Sequence, residues 1–342
     1  AALDAAGVPV SAECPYLGLA AFQPKDVGRF FGREQLTAEL VARTGEQLTW
    51  PGLLIVLGPS GSGKSSLLRA GLLPAVAAGA LPARGSWAWP RDLMTPGRRP
   101  VLELATRIAS LAGIPAGALE ADLYTDPTRI IGAIRQALLT NARRQADTSG
   151  PAPAADPVVI DLDMSQHADK SDNSSLATAQ EVVAEPRLVL IVDQFEEIFT
   201  QCNDEQERHT FIRALCAAAG TATPGIADDG GAAGGQVDAR EAPALVVIGI
   251  RADFYARTSA YPELVPYLQD HQVLVGPIDE AGLREAIEMP AATAGLVADA
   301  ALVEVLLADL GPHAYWDAIP ASTVDEFSAR TQVTDWHSYA AG

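Results

Sequence analysis

The fold is decided by a stretch in which an apolar segment runs into a glycine-rich loop. It reads Leu53-Leu54-Ile55-Val56-Leu57-Gly58-Pro59-Ser60-Gly61-Ser62-Gly63-Lys64-Ser65. An apolar run that ends at a glycine is typical of a strand buried on both faces of a parallel sheet. Residues 58–65 match the pattern G-x-x-x-x-G-K-[ST] in full, and they stand between that strand and an amphipathic helix. A Gly/Ser-rich turn without a ligand would not account for either neighbour, so the sequence predicts a phosphate-binding loop.

The residue types of this loop fit the chemistry of a bound phosphate chain. Glycines let backbone N–H groups turn toward an anion, and the helix that begins here adds the positive end of its dipole. Lys64 can reach the β- and γ-phosphates, and the Ser65 hydroxyl can ligate Mg²⁺. We therefore expect a nucleoside triphosphate, ATP or GTP, and Mg²⁺ as cofactors. The predicted nucleotide-binding residues of the loop are Gly58, Pro59, Ser60, Gly61, Ser62, Gly63, Lys64, Ser65 and Ser66.

A second apolar strand, Leu188 to Val192, delivers Asp193 at its carboxyl end. Ligands of an open α/β sheet collect at that edge, so Asp193 is predicted to hold Mg²⁺ directly or through water. Many ATPases have a glutamate immediately after this aspartate, but here the residue is Gln194. Glu196 or Glu197 is therefore the predicted catalytic base, and the spacing leaves both open. It also leaves open that both glutamates only begin the next helical turn.

A third apolar strand, Leu245 to Ile250, ends at Arg251. An arginine at this edge is predicted to sense the γ-phosphate and to stabilise charge on the transferring group. The alternative is a simple ion pair with Asp253, two residues further on.

Strands that alternate with helices predict an α/β protein with three layers, α/β/α, around a mostly parallel sheet. A composition of 48% hydrophobic but only 6% aromatic residues suits such buried strands. A fourth strand is predicted at Val273 to Val275. The helices are predicted at Phe30–Leu48, from Lys64 to an end or kink at Pro74, and at Val101–Leu111, Thr128–Arg144, Asp204–Ala218, Glu280–Glu288 and Asp299–Leu310.

The charge balance restricts the partners of the chain. Its 342 residues carry a formal net charge of −19, from 43 acidic and 24 basic residues. Because this field repels phosphate backbones, we expect no nucleic-acid partner. No apolar segment is long enough to span a membrane, and the start lacks the features of a signal peptide. The three cysteines are widely spaced, so we expect reduced thiols in a cytoplasmic protein. Since the sequence does not begin with Met, we also expect it to be a piece of a longer protein.

Several ordered blocks resemble the bacterial signal-transduction ATPases with numerous domains, the STAND class, and within it the novel STAND NTPase family one. The resemblance covers roughly residues 14–298 and is far more specific than a phosphate loop alone. The blocks are Cys14-Pro15-Tyr16-Leu17-Gly18-Leu19, Phe30-Phe31-Gly32-Arg33-Glu34, residues 58–65 continuing through Leu67-Leu68-Arg69-Ala70-Gly71-Leu72, Asp193-Gln194-Phe195-Glu196-Glu197-Ile198-Phe199-Thr200, Arg251-Ala252-Asp253-Phe254-Tyr255 and Gly276-Pro277-Ile278.

The resemblance implies features that the spacing alone does not. The strand that ends in Arg251 would lie between the phosphate-loop strand and the Asp193 strand. Gly32 and Arg33 would lie against the base and ribose of the nucleotide, although their block also fits an ordinary hydrophobic staple and helix start. Adenine is implied by the family, and no Asn-Lys-x-Asp block for guanine is present. Family members are large switches with effector modules and WD-type repeats, and they assemble with copies of themselves on activation.

The expected domain organisation follows from these blocks. We expect an extended lead-in over residues 1–22, an NTPase domain over 23–278 with disordered insertions at 146–186 and 220–243, and a helical lid over 279–342. Within the first insertion, only Val158 to Leu162 could form a strand. Family members carry a Leu-Pro-Leu-Leu type block in the lid, and the stretch from Gly311 to Pro320 does not match it. We therefore expect a lid that is altered, truncated or incomplete.

Three functions remain as hypotheses. The leading one is an ATPase module that binds ATP, hydrolyses it slowly and acts as a nucleotide-dependent switch for attached domains. The second is a scaffold that holds nucleotide without significant turnover, and Gln194 and the unmatched lid favour it. The third, a phosphate-loop kinase for a small molecule, leaves the block from Arg251 to Tyr255 unexplained.

Overall fold

The computed structural model describes residues 2–3, 9–10, 14–18, 20–148, 185–221 and 242–310. Most of the two predicted insertions, the candidate strand from Val158 to Leu162, and everything after Leu310 lie outside these residues. Near the start of the chain, Ala2–Leu3 pairs antiparallel with Pro9–Val10.

A five-stranded parallel sheet forms the centre of the molecule. Its strands are β1 (Leu53–Gly58), β2 (Arg91–Met94), β3 (Leu188–Val192), β4 (Ala244–Arg251) and β5 (Gln272–Leu274). The order across the sheet is β2-β3-β4-β1-β5, and every neighbouring pair is parallel. Strand β4 lies between β1 and β3, as the resemblance implies. Gly58 pairs with Arg251, so the phosphate loop and that arginine leave the sheet side by side.

Helices cover both faces of the sheet, which confirms the α/β/α fold class. The helices are α1 (Glu34–Glu46), α2 (Lys64–Ser66, Leu67–Leu72 and Leu73–Ala77 in succession), α3 (Pro100–Ala112), α4 (Ala116–Thr125), α5 (Ile130–Thr148), α6 (Glu197–Thr200), α7 (Glu205–Ala218), α8 (Tyr255–Thr258), α9 (Val265–Asp270), α10 (Glu280–Thr293) and α11 (Ala300–Leu310).

Alternation along the strands divides the apolar core into two layers. Leu54 and Val56 of β1 pack in one layer with α1 and α2. Ile55 and Leu57 point to the opposite face and pack with α3, α4, α5 and α7. Because all residues of β1 are buried, the strand reads as a continuous apolar run in the sequence.

The predicted helix from Phe30 begins later, at Glu34. Gly32 has a φ of +79°, in the left-handed region that favours glycine. Arg33 then has a φ of −132°, which is not helical. The chain therefore turns through these two residues before α1 can begin.

Helix α2 continues past Pro74 and ends at Ala77. Of the two predicted outcomes, an end or a kink of the helix at Pro74, the end is therefore wrong. The hydrogen bonding of the helix changes instead, because Leu67–Leu72 is a π-helical segment and Leu73–Ala77 is α-helical. Proline donates no N–H, and its ring obstructs the carbonyl of the residue four positions earlier. Wider π turns just before Pro74 accommodate both constraints within one helix.

Several elements were missed from the sequence, among them β2, α4, α6, α8 and α9. Among the described strands, β2 pairs with β3 alone at the edge of the sheet, and its sequence Arg-Asp-Leu-Met carries no continuous apolar run. Helices α4 and α9 are short and contain few strongly apolar positions.

A third apolar cluster lies beside the sheet. Helices α10 and α11 pack there against Phe22 and against Ala70 of α2. In the part of the chain that the structure describes, no helix is both long and apolar enough to cross a membrane.

Candidate functional site

The carboxyl ends of β1, β3 and β4 meet around a cavity of about 330 Å³. The phosphate loop forms one wall, and the residues after β3 and β4 form the others. Among the sequence-predicted site residues, several line this cavity: Ser60, Gly61, Gly63, Lys64, Ser65, Ser66, Asp193, Glu196 and Arg251.

The backbone of the phosphate loop uses conformations that favour glycine. Gly61 and Gly63 have φ angles of +76° and +85°. At Gly58, an added Cβ would lie 2.7 Å from the Ser62 hydroxyl and 2.8 Å from the Val275 carbonyl. The pattern of three glycines is therefore a steric requirement of this turn.

Lys64 is the first residue of α2, directly after the glycines of the phosphate loop. Its Nζ donates to the carbonyls of Gly58, at 2.9 Å, and of Pro59, at 2.6 Å. Burial lowers the pKa of Lys64, while the nearby carboxylates of Glu196 and Asp193 act in the opposite direction. The ammonium is thus held where loop N–H groups and the start of α2 favour an anion.

Three of the four serines between residues 58 and 66 differ in their surroundings. Ser62 is fully buried, and among the described residues its hydroxyl has no hydrogen-bond partner. Ser66 accepts a hydrogen bond from the Phe22 N–H at 3.2 Å, which ties the segment before the first helix to α2. The Ser65 hydroxyl donates to Asp193 Oδ1 at 2.9 Å.

Ser65 and Asp193 together fit a magnesium ion. Both offer hard oxygen ligands, and Asp193 is only 1% exposed. Among the described residues there is no cluster of three or more His, Cys, Asp or Glu that could hold a metal. Mg²⁺ usually binds one or two protein side chains and the phosphates of the nucleotide, so it needs no such cluster.

The chain turns sharply after Asp193. Gln194 has a φ of +56°, and no other non-glycine residue of the described part has a positive φ. The Phe195 N–H then donates to the Gly249 carbonyl at 2.9 Å, and the Phe195 ring is fully buried. This turn brings the next residue, Glu196, back to the cavity.

The structure separates the two glutamates that the spacing left open. Glu196 lines the cavity, and its Oε2 accepts from the Arg251 N–H at 3.3 Å. Burial raises the pKa of Glu196, and its backbone hydrogen bonds together with Lys64 and Arg251 oppose that effect. The Glu197 Oε2 instead accepts from the Gly97 N–H at 3.0 Å, and Glu197 does not line the cavity.

Arg251 forms the ion pair that the sequence left as an alternative. Its Nε donates to Asp253 Oδ1 at 3.0 Å, and its Nη2 to Oδ2 at 2.7 Å. The guanidinium also lies over the Phe254 ring, 5.6 Å from its centre. The arginine therefore lines the cavity while its side chain is held by the next turn of the chain.

Gly32 and Arg33 lie beside the loop, at a second cavity of about 640 Å³. A Cβ at Gly32 would lie 2.1 Å from the Gly282 carbonyl, so this turn packs directly on α10. Arg33 donates to the carbonyls of Gly276, at 2.9 Å, and Ser62, at 3.4 Å. It thereby joins the phosphate loop to the segment between β5 and α10, and burial lowers its pKa.

Sequence reasoning did not assign a role to Arg69. Its guanidinium forms an ion pair with Asp193, at 2.9 Å from Oδ2. A signal was present, since a residue four positions after Ser65 lies on the same face of a helix. The chemistry of that position was not apparent without the position of Asp193.

Comparison with known proteins gives one family match. A family model described as Novel STAND NTPase 1 matches residues 15–321. None of the curated proteins matches the chain.

Proposed function

This chain belongs to the novel STAND NTPase 1 family, and from that membership and the geometry above we propose that it binds ATP with Mg²⁺ and hydrolyses it slowly. In this proposal the nucleotide state acts as a switch for domains attached to the module. One observation carries the proposal: the Ser65 hydroxyl, at the end of a complete phosphate loop, contacts the buried carboxylate of Asp193 at 2.9 Å.

The proposed roles follow from position and charge. Lys64 would contact the β- and γ-phosphates once it leaves the loop carbonyls. Ser65 and Asp193 would hold Mg²⁺, which supplies charge neutralisation at the transferred phosphoryl group. Arg251 would reach the γ-phosphate by leaving Asp253, and the exposure of this pair, 40% and 54%, makes such an exchange inexpensive.

We propose Glu196, rather than Glu197, as the base that orients the attacking water. Its place on the cavity and its raised pKa support this role, because a base works best when its pKa approaches the working pH. The hydrogen bond from the Gly97 N–H supports a structural role for Glu197.

Adenine is the proposed base, with Gly32 and Arg33 beside it. Support comes from the family and from the contact of Arg33 with the carbonyl of Ser62 in the phosphate loop. Because Arg33 also bonds the Gly276 carbonyl before α10, it offers a route from the nucleotide to α10 and α11. The division into a lead-in, an NTPase domain and a helical lid, the effector and repeat domains, and self-assembly on activation belong to the same proposal.

Release of phosphate from ATP, measured with Mg²⁺ present, tests the proposed function. The parent protein is expected to release phosphate slowly, and Asp193→Asn is expected to lower the rate to that of Lys64→Ala. If the parent binds ATP but releases no more phosphate than Lys64→Ala, the hydrolytic role is wrong and a nucleotide-binding scaffold replaces it. Release that depends strongly on one added metabolite would indicate a kinase instead.

A further inference from the structure

Arg69 contacts the Asp193 carboxylate oxygen that Ser65 does not contact. It lies on α2 in the π-helical segment, and its Nε donates to Asp193 Oδ2 at 3.0 Å while Nη2 is 2.9 Å from the same oxygen. The side chains of Arg69 and Asp193 are 21% and 2% exposed, so water screens this pair weakly. Arg69 Nη1 also donates to Gln23 Oε1 at 3.3 Å, which holds the guanidinium in place.

Asp193 is fully engaged by hydrogen-bond donors. Oδ1 accepts from the Ser65 hydroxyl at 2.9 Å and from the Gln194 N–H at 3.0 Å, while Arg69 occupies Oδ2. A carboxylate at a magnesium site contributes negative charge that attracts the cation. Here a guanidinium in direct contact cancels that charge within the protein itself.

We propose that Arg69 balances the charge of Asp193, so that the site takes a divalent cation only together with nucleotide phosphates. The proposal rests on the function proposed above, because it assigns Asp193 to the metal site. Arg69 acts through Asp193 and is a positioning residue. The phosphates, rather than the protein, then supply most of the negative charge at the metal, and the empty protein does not compete for free cations.

Titration of the protein with Mn²⁺ in the absence of nucleotide, followed by electron paramagnetic resonance, tests this proposal. Mn²⁺ is a suitable probe because it shares the oxygen ligands of Mg²⁺. The parent protein is expected to bind no Mn²⁺ in the micromolar range. Arg69→Gln is expected to bind it at least about tenfold more tightly than the parent, because an uncompensated buried carboxylate attracts the cation.

Arg84→Gln is the matched control, since it removes the same charge from an exposed position. It is expected to behave as the parent, and so is Arg69→Lys, which keeps the charge but not the planar fork. Equal Mn²⁺ affinities for Arg69→Gln and Arg84→Gln would overturn the proposal. Should Arg69→Gln not fold, the parent and Arg69→Lys decide the outcome. Tight binding of Mn²⁺ by either protein overturns the proposal, and weak binding by both supports it.

Thermal stabilisation by ATP with Mg²⁺, measured on the same proteins, distinguishes failure of this proposal from failure of the proposed function. A parent that ATP does not stabilise would contradict the proposed function. Failure of the Arg69 proposal would appear only in the Mn²⁺ titrations.

Discussion

Adjacent glutamates at the carboxyl edge of the sheet have different surroundings, and a single backbone conformation separates them. The left-handed turn at Gln194 buries Phe195 and returns Glu196 to the cavity, whereas Glu197 begins α6 and accepts from the Gly97 N–H. A residue other than glycine or asparagine in this conformation carries a backbone cost of about 1–2 kcal/mol. Such a cost is common where a functional group must be positioned.

The two glutamates should therefore respond differently to loss of charge. Glu196→Gln is expected to lower the rate of phosphate release by about 10²- to 10⁴-fold and to leave ATP binding intact. Glu197→Gln is the matched control and is expected to keep most of the activity. Equal losses in both variants, or a greater loss in Glu197→Gln, would show that the assignment of the base is wrong.

The pH dependence of the reaction reports the same residue. Burial raises the pKa of Glu196, so its active carboxylate form should be lost at a higher pH than for an ordinary glutamate. The acid limb of kcat/KM is therefore expected above about pH 4.3. The folded-state pKa of Glu196 is raised above its unfolded-state value. The free energy of unfolding therefore falls as the pH rises from the unfolded-state pKa through the folded-state pKa, where Glu196 ionises. Glu196→Gln should then be more stable than the parent at neutral pH, with a difference that shrinks on acidification.

At the scale of elements, the first turn of α10 packs on the turn that precedes α1. Gly32 and Gly282 face each other, and a Cβ on Gly282 would lie 2.6 Å from the Gly32 carbonyl. The two turns approach so closely that neither position has room for a side chain. This contact, together with Arg33, fixes the second cavity beside the phosphate loop.

Gly32→Ala tests this contact, with Gly113→Ala as its control. Gly113 caps α3 with a similar φ of +73°, but a Cβ there would meet nothing within 4 Å. Gly113→Ala is expected to lower the free energy of unfolding by about 1 kcal/mol, the cost of the left-handed conformation alone. Gly32→Ala adds overpacking of about 1–3 kcal/mol. Urea unfolding of the two variants gives the difference, and equal losses would contradict the close approach of α10.

The sequence predicted an element of the fold accurately where a single residue pattern is typical of that element alone. Strands β1 and β3 were predicted nearly to the residue, because buried parallel strands are continuous apolar runs. Strand β2 was not, since an edge strand with mixed residues has no such run. The phosphate loop and Asp193 were also predicted. The choice of Glu196 needed the φ of Gln194, and the partner of Arg69 needed the position of Asp193 relative to α2.

At the scale of the whole molecule, three distant parts of the chain meet in one apolar cluster. Phe22, which precedes the first helix, packs with Ala70 of α2 and with the helices α10 and α11. The Tyr16 hydroxyl donates to the Ile287 carbonyl of α10 at 2.5 Å. Ser66 and Arg69 of α2 also contact Phe22 and Gln23, so the segment before the first helix contacts the helix that follows the phosphate loop. A change at the nucleotide therefore has a short path of contacts to the first part of the chain.

Thermal unfolding with and without ATP and Mg²⁺ tests the central claim, that residues 58–65 hold the phosphates of a nucleotide. At a ligand concentration one hundred times Kd, binding is expected to stabilise the parent by about 2.7 kcal/mol. Lys25→Ala, which removes an exposed lysine, is expected to give the same increase in Tm as the parent, and Lys64→Ala is expected to give none. An increase in Lys64→Ala equal to that of the parent would contradict the claim.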